Sequence, residues 1–295
     1  MDNSGYKSFS PKVISFSGPL SELVFVNVSN LGVQVFLKPS NVGEDTFSYK
    51  KRKYLPVGYS QELISGLLDF YFKECSRKRL FYDIEIWPNV AIGLEPIIGA
   101  LIEVVNHSEE DSLESDALLK LTLKWSESIL QELNPKVLVT SFLGGIRIFV
   151  GEAIGDHFRE RFPKGFELVL LYSVDGFNKD VFNSNTALVY NTRKVASFLK
   201  GLFYGKIDLL HLGMSVDLDN GFIDSDHIDS FFCRTAIQFE CIGLGLTDDS
   251  HFLYSVFPNS LKSDDFYKEL KNFFEKNRRY KVYQNTVDER GVLVT

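Results

Sequence analysis

The sequence predicts an α+β fold, on three observations. Helical and strand-like stretches follow one another without the regular strand-helix repeat of a doubly wound parallel sheet. Alternating apolar and polar residues fill the first forty positions. No internal repeat, low-complexity tract or domain linker interrupts the chain, so 1–295 reads as one domain, with a strand and helix part at 1–77, a core at 78–257 and a terminal helix and tail at 258–295.

The elements follow in order. Lys12 to Phe16, Leu23 to Val28 and Val33 to Leu37 are strand-like patches separated by Ser, Asn and Gly. Ser60 caps a helix from Gln61 to about Ser76, with Leu63, Ile64, Leu67, Leu68, Tyr71 and Phe72 at helical spacing. Leu80 to Pro88 is a short buried strand, stopped by its proline. A second helix is expected over Leu113 to Leu133, with Pro135 beyond its end. Lys136 to Val150 reads as strand, glycine turn and strand, a hairpin turning at Gly144-Gly145. Ala153 to Phe162 and Thr192 to Phe203 are expected helices; Phe166 to Tyr172, Asp208 to Val216, Ile237 to Leu246 and Phe252 to Phe257 are expected strands. A terminal helix follows over Asp264 to Asn277.

Composition bounds the function. At 295 residues, 44% hydrophobic and 24% charged, the chain can bury a sizeable core. A formal charge of -7 argues against coating nucleic acid by bulk charge, and leaves three local basic patches: Lys50, Lys51, Arg52 and Lys53; Arg77, Lys78 and Arg79; and Arg278-Arg279 with Lys281. Three widely spaced cysteines, Cys75, Cys233 and Cys241, form no Cys-x-x-Cys pair, which disfavours a disulfide framework or a cysteine zinc site. With no apolar run reaching the roughly 18 residues of a membrane span and no signal pattern at the N-terminus, the expectation is a soluble intracellular protein.

The candidate chemistry starts on the strand at Asp83-Ile-Glu85. Residues two apart on a strand share a face, so both carboxylates project together, and a hard divalent cation between them relieves their repulsion. The bland alternative is a solvated strand face.

Two further segments stand in order behind it: Ser141-Phe-Leu-Gly144-Gly145-Ile-Arg147, and Ile228-Asp229-Ser-Phe-Phe-Cys-Arg234 with Phe239 to Gly243. Together the three resemble the archaeo-eukaryotic primase superfamily, the small catalytic primase subunits, viral primases and primase-polymerases, as a divergent member. That superfamily shows a strand with apolar-Asp-apolar-acid, a hairpin running from Ser through a glycine turn to His, and a lone Asp on a later strand. Arg147 stands at the His position, and the stretch Gly243 to Asp249 behind the third segment holds no lysine.

The resemblance implies a primase-type catalytic core whose mixed or antiparallel sheets form two packed lobes, one RRM-like. It implies a DNA-dependent nucleotidyltransferase that makes or extends primers from nucleoside triphosphates by two-metal phosphoryl transfer. On that reading Asp83, Glu85 and Asp229 are catalytic and hold Mg²⁺ or Mn²⁺. Ser141, Gly144, Gly145 and Arg147 face the triphosphate. Lys50 to Lys53 and Arg77 to Arg79 contact a single-stranded DNA template, and the partner is a large primase subunit or a helicase, in cytoplasm, nucleus or virus factory. The alternative is an inactive primase-like subunit that scaffolds nucleic acid or a partner; a metal-dependent nuclease using the same acids is weaker.

The remaining features carry less. Val216-Asp217-Leu218-Asp219 imitates the first motif, but Asn220-Gly221 makes it a strand end entering a loop. The five histidines form no His-x-x-x-His pair. No Gly-x-Ser-x-Gly elbow and no Gly-x-x-x-x-Gly-Lys-Ser/Thr loop occurs, which disfavours a serine hydrolase and a P-loop.

Overall fold

The computed structural model describes residues 5–17, 23–56, 59–129, 133–149, 154, 157–160, 167–180, 186–189, 215–218, 228–241, 243–257, 260–285 and 290–295. The chain divides into two compact units: Met1–Val13, Phe25–Arg147 and Asp288–Thr295 form the first, Ile14–Val24 and Ile148–Val287 the second.

The sheet of the first unit has the order β13-β1-β2-β4-β3, where β1 is Tyr6–Ser17 and β2 Leu23–Pro39, each running a few residues past the unit's bounds, β3 is Thr46–Tyr49, β4 Tyr82–Pro88 and β13 Leu293–Val294. β2 and β4 are antiparallel, with Phe36 opposite Glu85, whereas β3 and β4 are parallel, so the sheet is mixed. The two-residue period of β4 decides its faces: Tyr82, Ile84 and Ile86 are buried, while Asp83 is exposed and Glu85 and Trp87 are half-buried. Each buried Ile stabilises the fold by roughly 1.5–3 kcal/mol over leaving it exposed, so the register cannot slip by one residue without losing several such terms.

Four helices belong to this unit. α1 (Gln61–Glu74) starts where expected, with the Ser60 hydroxyl accepting the Leu63 N–H at 3.0 Å, and it buries Ile64, Leu67, Leu68, Tyr71 and Phe72. α2 (Leu94–His107) is apolar nearly all round and is buried accordingly. α3 (Ser115–Ser128) and α4 (Pro135–Leu143) pack with it and with each other. Asn134 caps α4 by accepting the Lys136 and Val137 N–H groups, and Pro135 takes the first-turn position its ring prefers.

The second unit is built on an antiparallel sheet in the order β10-β11-β7-β12, where β7 is Glu167–Ser173, β10 Gly243–Leu246, β11 Phe252–Phe257 and β12 Tyr280–Asn285. Val169 and Leu171 of β7 share a core with Phe232, Cys233 and Ala236 of α5 (Ile228–Gln238) and with Phe266, Leu270 and Phe274 of α6 (Ser260–Phe274). α5 ends in a left-handed residue, Glu240 at φ 57°. The Cys241 N–H then bonds the Ala236 carbonyl and the Glu240 N–H the Ile237 carbonyl, which completes a Schellman cap. β8 (Thr186–Val189) pairs with β9 (Ser215–Leu218), and β6 is His157–Glu160. No helix among the described residues is long and apolar enough to cross a membrane.

An α+β fold with mixed and antiparallel sheets is therefore present, but several elements differ from expectation. The hairpin expected over Lys136 to Val150 is α4 followed by β5 (Ile146–Phe149). Asn134-Pro135 is a helix start that outweighs the β-branched Val137, Val139 and Thr140. Asp229 lies in a helix, not on a strand. The strand expected over Ile237 to Leu246 is instead the end of α5, the Schellman turn and β10, since a short apolar run does not distinguish a helix end from a strand. The helix expected over Ala153 to Phe162 contains β6. The helix expected over Thr192 to Phe203, and Asp208 to Met214 of the expected strand, lie outside the described residues.

Candidate functional site

β4 does place Asp83 and Glu85 on one face, and its neighbours supply the partners. The Thr46 hydroxyl on β3 donates to Asp83 Oδ1 at 2.6 Å, and Lys50 Nζ stands 4.0 Å from Glu85 Oε1. Lys50 also sits 3.3 Å above the Trp87 ring centroid, and Trp87 packs against Phe36 at 4.3 Å. On this strand face Asp83 is matched by a neutral hydroxyl and Glu85 by a lysine. Asp229 belongs to the second unit, where it is buried at the start of α5 and accepts the Ser230 N–H at 3.1 Å. Burial first, and the Asp229 charge second, push the Cys233 thiol well above its ordinary range. Among the described residues no group of three His, Cys, Asp or Glu side chains fits a metal ion such as Mg²⁺ or Mn²⁺.

The second segment serves the end of α4. Ser141 is fully buried, and its hydroxyl has no hydrogen-bond partner among the described residues. Arg147, 6% exposed, donates to the Gly144 and Leu143 carbonyls at 3.1 and 3.0 Å, where a cation complements a helix C-terminus. Gly144 and Gly145 both take φ 72°. A Cβ on Gly144 would collide with the backbone of Arg290 and Gly291, so glycine is required there by conformation and by space.

The basic patches differ from one another. Arg79 pairs with Asp45 and Asp69, and Arg77 lies against the Tyr71 phenol and 4.0 Å from Glu109, so both are tied into the unit while Lys78 is exposed. Lys51, Arg52 and Lys53 are exposed, with Lys53 over the Tyr54 ring at 5.0 Å.

A cleft of about 460 Å³ opens between the end of β3 and the start of α1, lined by Tyr49, Arg52, Leu55, Pro56, Tyr59, Ser60, Gln61 and Glu62. Arg52 reaches it on a single 3₁₀ turn, Arg52–Tyr54, which begins from left-handed Lys51 at φ 54° and ψ 47°. Tyr49 and Tyr59 meet edge to face at 5.5 Å, and the Gln61 amide donates to the Tyr49 phenol at 3.2 Å. Burial, with the Tyr49 phenol beside it, pushes the Tyr59 ionisation far up, so that phenol stays neutral. Arg52, expected to contact template, lines this cleft instead, together with tyrosines that the sequence analysis does not single out. The signal was there as aromatic residues interleaved with basic ones from Tyr49 to Tyr59.

At the start of α2, the Glu95 carboxylate folds back over the first turn, 2.6 Å from where a Cβ on Gly93 would lie, and accepts the Asn134 N–H at 2.7 Å. The strand-loop-helix step from β4 to α2 thus carries its own anion at the helix N-terminus.

No protein-family model matches the sequence, and no curated protein matches it. Solved structures do match the fold. Homoserine kinase from Cytophaga hutchinsonii aligns over 100% of this chain and 98% of its own, with a TM-score of 0.72 at 15% identity. Mevalonate kinase from Methanococcus jannaschii aligns over 97% and 98%, at 0.64 and 12%. Mevalonate diphosphate decarboxylase from Enterococcus faecalis aligns over 99% and 98%, at 0.56 and 12%. These neighbours indicate the GHMP-kinase fold.

They overturn the primase reading. The core is not of primase type, and a DNA-dependent nucleotidyltransferase working on single-stranded DNA with a large primase subunit or a helicase loses its basis, as does the inactive primase-like alternative. The three short segments coincide with the primase pattern in order and spacing only. Ser141 to Leu143 of the second and Ile228 to Arg234 of the third are helical, where that pattern needs strands.

Proposed function

We propose that this chain binds a nucleoside triphosphate and a small metabolite and transfers a phosphoryl group between them. The observation that carries the reading is the match over the whole chain to homoserine kinase, supported by the match to mevalonate kinase. Within this chain, the part of the cleft lined by Tyr49, Tyr59 and Gln61 is where we place the planar base: its aromatic walls offer flanking surface, and Gln61 offers polar edges. Phosphoryl transfer asks little covalent chemistry of a protein, so positioning and charge complementarity are what such a site supplies.

The test is ADP release from ATP in the presence of a panel of small alcohols and acids, homoserine, mevalonate and hexoses among them. Release that depends on one compound is the expected result; no release with any of them sinks the transfer reading. A second reading, binding without transfer, is favoured by the Glu95 carboxylate, which puts a negative charge at the start of α2 where a helix N-terminus would otherwise favour phosphate. It predicts saturable nucleotide binding with no ADP formed.

A further inference from the structure

Arg52 differs from three of the cations near it. Lys50, Arg77 and Arg79 each have an acid or a ring against them. Arg52 lines the cleft and makes no side-chain hydrogen bond or ion pair with a described residue. The turn that presents it begins in a left-handed lysine, a conformation a residue with a Cβ rarely adopts unless its surroundings impose it. The turn thus presents, at the lip of an aromatic cleft, a guanidinium that pairs with no described side chain. Glu62 lines the same cleft, exposed and without an ion pair to Arg52.

We propose that Arg52 is a specificity residue of this cleft, selecting, among the planar ring compounds that Tyr49 and Tyr59 can flank, those carrying an anionic group, as a nucleotide does and its nucleoside does not. The inference rests on reading the cleft as the nucleotide site. Three points argue it. A guanidinium presents its donors in a fixed fork that matches two phosphate oxygens at once. The chain's net charge of -7 disfavours an approaching anion, so selection for one needs a local cation. The remaining polar groups of the cleft suit a different part of the ligand: the Ser60 hydroxyl is occupied by the α1 cap, and Gln61 and Glu62 offer acceptors to a ring amino group.

The test is calorimetric titration of the full chain with AMP and with adenosine, comparing wild type, Arg52→Gln, Arg52→Lys and Lys53→Gln, each checked for folding by its thermal melt. Wild type is expected to bind AMP on the order of 10-fold or more tightly than adenosine, the range of a hydrogen bond to a charged group. Arg52→Gln should bring AMP down to the level of adenosine while adenosine binding holds. Arg52→Lys should keep part of the preference, and Lys53→Gln all of it. A preference that survives Arg52→Gln, an equal loss in Lys53→Gln, or a wild type that binds neither probe overturns the proposal. The ADP-release assay separates the two ideas. An Arg52-dependent preference without any transfer leaves this inference standing and removes the kinase reading, whereas transfer with an Arg52-independent preference does the reverse.

Discussion

One carboxylate serves two helix starts: Glu95 Oε1 accepts the backbone N–H of Asn134 at 2.7 Å, Glu95 lying in the first turn of α2 and Asn134 capping α4. Both helices turn their positive ends toward it, and they pack against each other.

Glu95→Gln keeps the size and removes the charge. The expected cost is about 1 kcal/mol, that of a charge-assisted hydrogen bond weakened to a neutral one near two helix termini. A urea melt reads it as a lower midpoint at an unchanged slope. An unmoved midpoint would mean the two helix starts do not depend on this charge.

Glu103 on α2 makes stability depend on pH. Burial holds its carboxyl up at about 6, against a hydrogen bond from Ser115 that lowers it. The folded state thus keeps its proton more tightly than the unfolded chain, whose value lies near 4.5. The stabilisation is fully present below that value and is lost as pH rises through about 6. The loss is at most roughly 2 kcal/mol, and less where water reaches the group. Glu103→Gln should therefore gain on wild type between pH 5 and pH 7.5. Parallel urea melts at those two pH values would refute the assignment if the difference between the proteins stayed constant.

Gly43 and Gly144 separate backbone strain from collision. Both have positive φ, 79° and 72°, but an added Cβ at Gly43 meets nothing within 4 Å, whereas at Gly144 it meets backbone. Gly43→Ala should cost about 1 kcal/mol and Gly144→Ala roughly 3 kcal/mol or more, read as shifts in melting temperature. Equal shifts would mean that the chain at 290–291 yields easily.

What was legible in the sequence follows from how local its cause is. The Ser60 cap, the α1 stripe, β4 and β11 depend on neighbours a few residues away, and each appears where periodicity placed it. The second motif misleads because its residues favour strand one by one, while the decisive signal is Asn134-Pro135, whose proline also reads as the stop beyond the preceding helix. The third misled because α5 is short and turns sharply into β10 at Glu240. Ser141, Arg147 and Asp229 are polar residues within apolar runs, which reads as chemistry; the structure buries all three. The cleft was hidden for the opposite reason: interleaved aromatic and basic residues hint at a binding stretch, but the edge-to-face meeting of the Tyr49 and Tyr59 rings is a product of the folded chain.

The short strand β13 pairs with β1, with Ser8 opposite Val294 and Phe9 opposite Leu293, and Gly291 beside it presses against the carbonyl of Phe142. During synthesis, then, β1 leaves the ribosome long before the segment that closes its edge. Until residues 290–295 emerge, its free backbone groups and the end of α4 stay uncovered, and the second unit is translated in that interval. A nascent chain stalled before residue 290 should be the form most in need of a chaperone.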